Sequence, residues 1–176
     1  MNTGKIEIIY GEGSGRTAMA LGKGLEALSR HKKVIVIQFL KGNQKEESLK
    51  VMRRLEPDMN LFCFEKACCK FDELSEQEKQ EECINIRNGV NYARKVLATG
   101  ECDLLILDEV LGLLEQEILL EQELLQILES RDSADVILTG RILQDGLAAA
   151  ADQVERITRI GCGREAENSY GSGSNL

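Results

Sequence analysis

The chain has 176 residues, of which 43% are hydrophobic and 30% are charged, a composition typical of a folded globular protein. This length accommodates one well-buried core, so we expect a single domain over residues 1–160. A formal net charge of −8 argues against broad contact with nucleic acid or anionic membrane, because both need a concentrated positive field. The remaining residues, 161–176, are rich in glycine and serine and predict a flexible tail.

The sequence predicts neither export nor membrane insertion. No stretch approaches the roughly 20 apolar residues of a membrane span, and the N-terminal residues MNTGKIEIIYGEG lack the long apolar region of a signal peptide. We therefore expect a cytoplasmic protein. In that compartment the six cysteines are expected to be reduced thiols, either packed or at the surface.

Short aliphatic runs recur along the chain and predict six β-strands. Two of the runs contain VIVI and LLIL, which are continuous rather than alternating and are therefore typical of parallel strands covered on both faces. In chain order the six runs are residues 5–10, 33–39, 60–65, 102–108, 135–139 and 154–160.

The segments between these runs predict helices. Residues 17–29 are rich in alanine and leucine, and Ser75 with Glu78 has the form of a capping box that begins a further helix. Residues 121–129 and 143–152 predict two more. Strands that alternate with helices predict an α/β fold, with a mostly parallel sheet of about six strands and helices on both faces.

Two segments do not fit this alternation. Residues 40–58 and 66–74 are polar and irregular, and the first contains the only proline, Pro57. Loops that follow the carboxyl ends of parallel strands are where such folds bind ligands. We expect these segments to contact the substrate.

A glycine-rich stretch, YGEGSGRT at residues 10–17, follows the first predicted strand and precedes the first predicted helix. Its three glycines, Gly11, Gly13 and Gly15, allow backbone conformations in which successive amide hydrogens converge on one anion, and the helix start adds its positive end. Thr17 has the position of the Mg²⁺-binding hydroxyl of a Walker-type phosphate loop. A tight turn also needs glycine, so this stretch alone leaves both interpretations open.

A second motif is CDLLILDE at residues 102–109, where an apolar strand ends in Asp108 and Glu109. This is the Walker-B arrangement, in which an acid at the strand tip holds Mg²⁺ or its water beside the phosphate loop. The alternative is a helix cap or a solvated loop. The two motifs in this order together predict a site for a nucleotide with Mg²⁺.

Three blocks of sequence resemble the P-loop type of ATP:corrinoid adenosyltransferase. They are GEGSGRTAMALGKGLEALSRHKKVIVIQFLKG, then LLILDE, then VILTGR, against family patterns of approximately GxGKGKTTAAxGxAxRAxGxGxxVxxxQFxKG, VVLDE and LTGR. The resemblance covers roughly residues 4–160, and its three ordered blocks make it specific. It implies the P-loop nucleotide-binding version of the α/β fold.

The resemblance also implies an activity. Members of the family bind ATP with Mg²⁺ and a corrinoid reduced to cobalt(I), which attacks the 5′ carbon of ATP and expels triphosphate. They are typically cytoplasmic homodimers. For this chain the resemblance therefore implies a transferase whose partners are ATP and a corrinoid, without nucleic acid or membrane.

The resemblance assigns roles to particular residues. Arg16 would take the place of the loop lysine, and Thr17 with Glu109 would position Mg²⁺, supported by Asp108. Arg16 and Glu109 are therefore the candidate catalytic residues. The residues that would contact ATP or the corrinoid are Gly11, Glu12, Gly13, Ser14, Gly15, Arg16, Thr17, Gln38, Lys41 and Arg141.

For Arg141, which follows the fifth predicted strand, two interpretations stay open. Its guanidinium either meets a phosphate or an amide at the rim of the corrin, or is simply a surface group at a strand end.

The chain departs from the family pattern at several positions. Arg16 and Ser14 stand where the family has lysines, and Val110 and Leu111 stand where it has an Asn-Tyr pair. A guanidinium keeps the positive charge but is wider than an ammonium group. These departures favour an alternative, a divergent paralogue that binds nucleotide or corrinoid as a sensor or accessory module without transferring the adenosyl group.

Overall fold

A computed structural model describes residues 3–13, 15–42, 46–67 and 69–161, and for residues 46–49 it describes the backbone. Ser14 and the predicted tail from residue 162 onward lie outside the described residues. The strands are β1 (Ile6–Gly11), β2 (Val34–Gln38), β3 (Met59–Cys63), β4 (Leu104–Asp108), β5 (Asp135–Gly140) and β6 (Gln153–Ile157). The helices are α1 (Gly15–Ser29), α2 (Glu46–Arg53), α3 (Glu76–Thr99), α4 (Val110–Glu115), α5 (Glu121–Glu129) and α6 (Asp145–Ala150), with a 3-10 helix at Phe71–Glu73.

The six strands form one parallel sheet in the order β3-β2-β4-β5-β1-β6, which confirms the predicted α/β fold. The three central strands β2, β4 and β5 are almost entirely buried, as their continuous apolar sequences require. Because all strands run the same way, their carboxyl ends meet at one edge of the sheet. The ends of β2, β4, β5 and β1 are neighbours there.

The connections divide the helices between the two faces of the sheet. Chain segments that leave β1 and β2 run toward the β3 edge, whereas those that leave β3, β4 and β5 run toward the β6 edge. Crossovers of the same hand that run in opposite directions lie on opposite faces. Accordingly α1 packs in one apolar cluster, with α2 against its margin, and α3 to α6 contribute to the other, through Ile86, Leu111, Leu124 and Leu147.

The capping box is present as predicted. The Ser75 hydroxyl accepts from the Glu78 amide at 3.4 Å, and the Glu78 carboxylate accepts from the Ser75 amide at 2.9 Å. The helix that begins there runs to Thr99 and ends at Gly100, whose φ of 63° is the left-handed conformation that glycine favours.

The sequence interpretation of residues 40–58 was wrong in part, because α2 lies inside this segment. Met52 near the end of α2 and Leu55 in the turn after it pack against the smaller apolar cluster, which fixes this short helix to the sheet within a polar stretch. The short helix α4 was also not predicted. It begins directly after the strand end at Glu109, and its first four residues, Val110 to Leu113, are buried.

Cys102 gives a direct test of the packing at the start of β4. Its side chain is buried, and burial raises the pKa of the thiol to about 12. At pH 8 only about one thiol in ten thousand is then ionised, and the thiolate is the reactive form. We expect iodoacetamide to modify exposed Cys69 while Cys102 stays unmodified until the protein is denatured, as measured by peptide mass spectrometry. Equal labelling of both in the native protein would contradict this packing.

Candidate active site

The loop between β1 and α1 depends on glycine at two positions. Gly11 has a φ of 117° and Gly13 a φ of 93°, conformations that other residues rarely adopt. At Gly11 an added Cβ would lie 2.1 Å from the carbonyl oxygen of Ile157 on β6, so no side chain fits there. Gly15 needs no such conformation and begins α1.

Two backbone amides of this loop already bond to carbonyl groups elsewhere in the chain. The Gly11 amide donates to the carbonyl of Arg141 at 3.2 Å, and the Glu12 amide donates to the carbonyl of Ile157 at 3.1 Å. These two bonds fix the loop to its neighbouring strands, so the Gly11 and Glu12 amides are occupied within the protein. An anion would therefore meet the amides at the start of α1, which have no acceptor within the helix.

Arg16 turns its guanidinium back across the loop. One terminal nitrogen donates to the Gly11 carbonyl, and the other lies 2.9 Å from Oε2 of Glu109. The side chain is only 13% exposed. Its Nε is buried, and no acceptor lies within reach of it among the described residues. Buried donors are rarely left without an acceptor, and a phosphate oxygen would supply one.

Asp108 is the centre of the polar network. It is fully buried at the tip of β4, and each carboxylate oxygen accepts from two groups, which together use its acceptor capacity. The four donors are Thr17 Oγ1 at 3.0 Å and Thr139 Oγ1 at 2.7 Å on Oδ1, and Gln38 Nε2 at 2.9 Å and Lys41 Nζ at 3.0 Å on Oδ2.

The network joins elements that are not adjacent in the sheet. Strand β5 lies between β4 and β1, so the acidic strand tip and the glycine loop do not belong to neighbouring strands. Thr139 on β5 fills the space between them: its hydroxyl donates to Asp108 and accepts from the Glu109 amide at 2.8 Å. The contact between Thr17 and Asp108 then closes the junction.

Glu109 adopts a left-handed backbone conformation, with φ of 64° and ψ of 21°. For a residue other than glycine this conformation costs of order 1 kcal/mol and persists where the surroundings fix it. Here the Thr139 hydroxyl fixes the Glu109 amide, and the carboxylate points to Arg16 with 18% of its side chain exposed. The sharp turn directs Asp108 into the core and Glu109 toward the glycine loop.

Lys41 belongs to the same site. Its Nζ lies 2.8 Å from Oγ1 of Thr17 and 3.0 Å from Oδ2 of Asp108. The lysine follows Leu40, whose φ of 54° is also left-handed, and precedes Gly42, with φ of 56°. Lys41 thus brings a second positive charge to the junction of the glycine loop and the acidic strand tip.

Sequence reasoning missed Glu65, which holds the backbone at Lys41. Its carboxylate accepts from the Leu40 amide at 2.5 Å and from the Lys41 amide at 3.2 Å. Burial raises the pKa of this carboxyl group, and the two amide bonds partly oppose that effect. The available signal was an acidic residue at the end of the apolar run NLFCFE.

Arg141 points away from this network. Its guanidinium is exposed and lies 2.6 Å from the Glu115 carboxylate, an ion pair that raises the pKa of the guanidinium. Its backbone carbonyl accepts from the Gly11 amide of the glycine loop, and its positive charge also interacts with the carboxylates of Glu109 and Glu12. Of the two interpretations of Arg141, this arrangement favours the surface group at a strand end.

The described residues contain no group of three or more histidine, cysteine, aspartate or glutamate side chains arranged to hold a metal ion. Thr17 and Glu109 nonetheless flank the loop from opposite sides, through their contacts with Asp108 and Arg16. Such a pair suits a cation that keeps most of its water and takes further ligands from phosphate, as Mg²⁺ does.

The model of the family described as ATP:corrinoid adenosyltransferase BtuR/CobO/CobP matches residues 2–167. The chain belongs to this family. It is 28% identical over 158 residues to the corrinoid adenosyltransferase of Escherichia coli K12, covering 89% of this chain and 78% of that protein. It is 25% identical to the corresponding enzymes of Pseudomonas aeruginosa PAO1 and Salmonella typhimurium LT2, covering 89% of this chain and 76% and 78% of those proteins.

Among solved structures the chain is similar to a DNA replication initiation factor, with a TM-score of 0.43 and 18% identity. The similarity covers 87% of this chain and 40% of that one. A likeness this distant assigns neither a ligand nor an activity.

The role of Asp108 predicts a large difference between two strand-end aspartates. In Asp108→Asn the amide group faces donors on one side and leaves Lys41 without its buried partner, so we expect the free energy of unfolding to fall by about 3–5 kcal/mol. Asp135→Asn is the control, because its carboxylate pairs with Lys32 at the opposite edge and is 36% exposed; we expect a loss of about 1 kcal/mol or less. Urea denaturation measures both, and equal losses would contradict the central role of Asp108.

Proposed function

We propose that this protein transfers the 5′-deoxyadenosyl group of ATP to a reduced corrinoid and releases triphosphate. The proposal rests on family membership and on one structural observation. Arg16, Thr17 and Lys41 meet the two strand-end carboxylates at the glycine loop, and the buried Nε of Arg16 has no acceptor among the described residues.

The chemistry needs charge stabilisation more than proton transfer. The electron pair of cobalt(I) forms the bond to the 5′ carbon, the bond from that carbon to the triphosphate oxygen breaks, and no proton has to move. The leaving group is a polyanion, so the useful protein groups are fixed amides and cations. The start of α1, Arg16 and Lys41 supply these groups.

Mg²⁺ fits the acidic and hydroxyl groups of the same site. In this proposal Thr17 and Glu109 would hold the ion, and Asp108 orients Thr17 by accepting a hydrogen bond from its hydroxyl group. When bound, Mg²⁺ neutralises part of the triphosphate charge. Arg16 occupies Oε2 of Glu109, so a cation held by Glu109 would either use Oε1 or displace the guanidinium, which would then be free for a phosphate oxygen.

The same ion pair supports the second candidate function. If Arg16 stays on Glu109 when nucleotide binds, the carboxylate remains neutralised and the protein binds nucleotide without transferring the adenosyl group. Calorimetry combined with a product assay distinguishes the two functions, because this paralogue would bind ATP and yet form no adenosylated product.

Two further expectations accompany the proposal: a homodimer, taken from the family resemblance, and a cytoplasmic location, which the sequence and that resemblance both predict. No helix within the described residues has the length and apolar character needed to cross a membrane. The corrinoid would approach from the segments that follow β2 and β3, which border the Lys41 end of the site.

The activity is tested by incubating the protein with ATP, Mg²⁺ and chemically reduced cobinamide or cobalamin. We expect an adenosylated corrinoid, detected by its absorption spectrum, and one triphosphate released for each adenosyl group transferred. A related adenosyltransferase under the same conditions is the positive control. If the control forms product and this protein does not, the proposed transfer is wrong.

Arg16 offers a test of charge against shape. In Arg16→Lys the positive charge remains, so we expect the rate of adenosyl transfer to stay within about tenfold of the unmodified protein. In Arg16→Met the charge is lost, and the rate should fall by about a hundredfold or more, since a charged contact to the leaving group contributes ~3 kcal/mol. Initial rates at saturating ATP measure both. A methionine variant that is as active as the original would make Arg16 a structural residue only.

A further inference from the structure

The turn that carries Lys41 is held from two sides, by β4 and by β3 with the residues that follow it. The Phe39 amide donates to the Asp108 carbonyl at 2.9 Å, which extends the pairing of β2 with β4 by one bond. On the other side β2 pairs with β3 up to Gln38 and Cys63. Beyond that pair the Glu65 carboxylate continues the connection, because it accepts from both the Leu40 and the Lys41 amides.

The turn also contains a residue in a strained conformation, Leu40, whose amide Glu65 holds by a hydrogen bond. Leu40 adopts a positive φ of 54° without being glycine, and such residues keep this conformation only where their surroundings fix it. Its side chain lies against Gly112 of α4, where an added Cβ would approach Cδ1 of Leu40 to 2.8 Å. Glu65 therefore accepts from the amide of the strained residue and from the amide of the lysine that follows it.

We propose that Glu65 is a positioning residue for Mg–ATP binding, acting through Lys41: by fixing the Leu40 and Lys41 amides it holds the lysine ammonium group at Thr17 and Asp108. This inference rests on the proposed function for its ligand and deepens it. Glu65 itself contacts the turn backbone, whereas the lysine it fixes contacts the two residues nearest the expected triphosphate.

Glu82 on α3 provides a matched comparison. Its side chain is buried, whereas that of Glu65 is half-buried, and it accepts from two successive backbone amides that directly follow Glu65 in the chain, those of Lys66 at 2.7 Å and Ala67 at 2.9 Å. It thus fixes a neighbouring turn by the same kind of contact, but that turn does not carry Lys41. Replacing either glutamate with glutamine removes a negative charge and can place the side-chain NH2 group against a backbone N–H group.

The experiment compares the unmodified protein with Glu65→Gln, Glu82→Gln, Lys41→Met and the double variant Glu65→Gln/Lys41→Met. Calorimetry gives the dissociation constant for Mg–ATP. Nitrogen-15 spectra of the lysine ammonium groups, recorded at slightly acidic pH without nucleotide, report whether Lys41 is still held; its signal is assigned by its loss in Lys41→Met. If Glu65→Gln does not fold, Glu65→Asp keeps the charge but withdraws it from the turn.

We expect Glu65→Gln to weaken Mg–ATP binding about tenfold, and to broaden the Lys41 signal by exposing the ammonium group to water. Glu82→Gln should change both measurements less than Glu65→Gln does, because Glu82 reaches Lys41 only through the residues that follow Glu65. The double variant should bind no more weakly than Lys41→Met alone, because residues that act through one group are not additive.

Three results would overturn the inference: an unchanged Lys41 signal in Glu65→Gln, a larger effect on that signal in Glu82→Gln than in Glu65→Gln, or a double variant clearly weaker than Lys41→Met. Failure of the proposed function is a separate result. An unmodified protein that neither binds Mg–ATP nor forms product refutes that function, while the ammonium spectra still decide whether Glu65 positions Lys41.

Discussion

The buried carboxylate of Asp108 determines how the rest of the site is arranged. A charge removed from water has to be matched by donors, because an unmatched one costs several kcal/mol. Asp108 is fully buried and accepts from two hydroxyl groups, one amide and one ammonium group. These donors come from β2, β5, α1 and the turn after β2. The requirement of one side chain therefore brings four parts of the chain to the same point.

The positions of strands and helices followed largely from local sequence. Continuous apolar runs such as VIVI and LLIL are typical of parallel strands buried on both faces. The capping box of Ser75 and Glu78 predicts where α3 begins. Short elements were harder to predict. The helix α2 depends on contacts of Met52 and Leu55 with a cluster built from distant strands, and α4 depends on a left-handed turn at Glu109. Neither the packing of Met52 and Leu55 nor the turn at Glu109 is indicated by the local sequence.

The candidate site shows the same division. The glycine loop and the acidic strand end could be found because each is a compact motif, and the family resemblance pointed to Gln38 and Lys41. The contact of Arg16 with Glu109 spans 93 positions of sequence and follows from the strand order. Glu65 lies in no motif, since its role arises only where the ends of β2 and β3 diverge. The side chain of Arg141 pairs with Glu115, a partner 26 positions away that no local motif indicates.

The pairing of cations with carboxylates at the loop has a consequence for selectivity among anions. Arg16 is balanced by Glu109 and Lys41 by Asp108, so the resting surface offers a passing sulfate or single phosphate little net attraction. In the proposed function, a ligand that brings its own divalent cation would supply partners for the acids and the bases at once. Under that proposal, a molecule with an overall charge of −8 would admit a metal-loaded polyphosphate and offer small free anions little attraction.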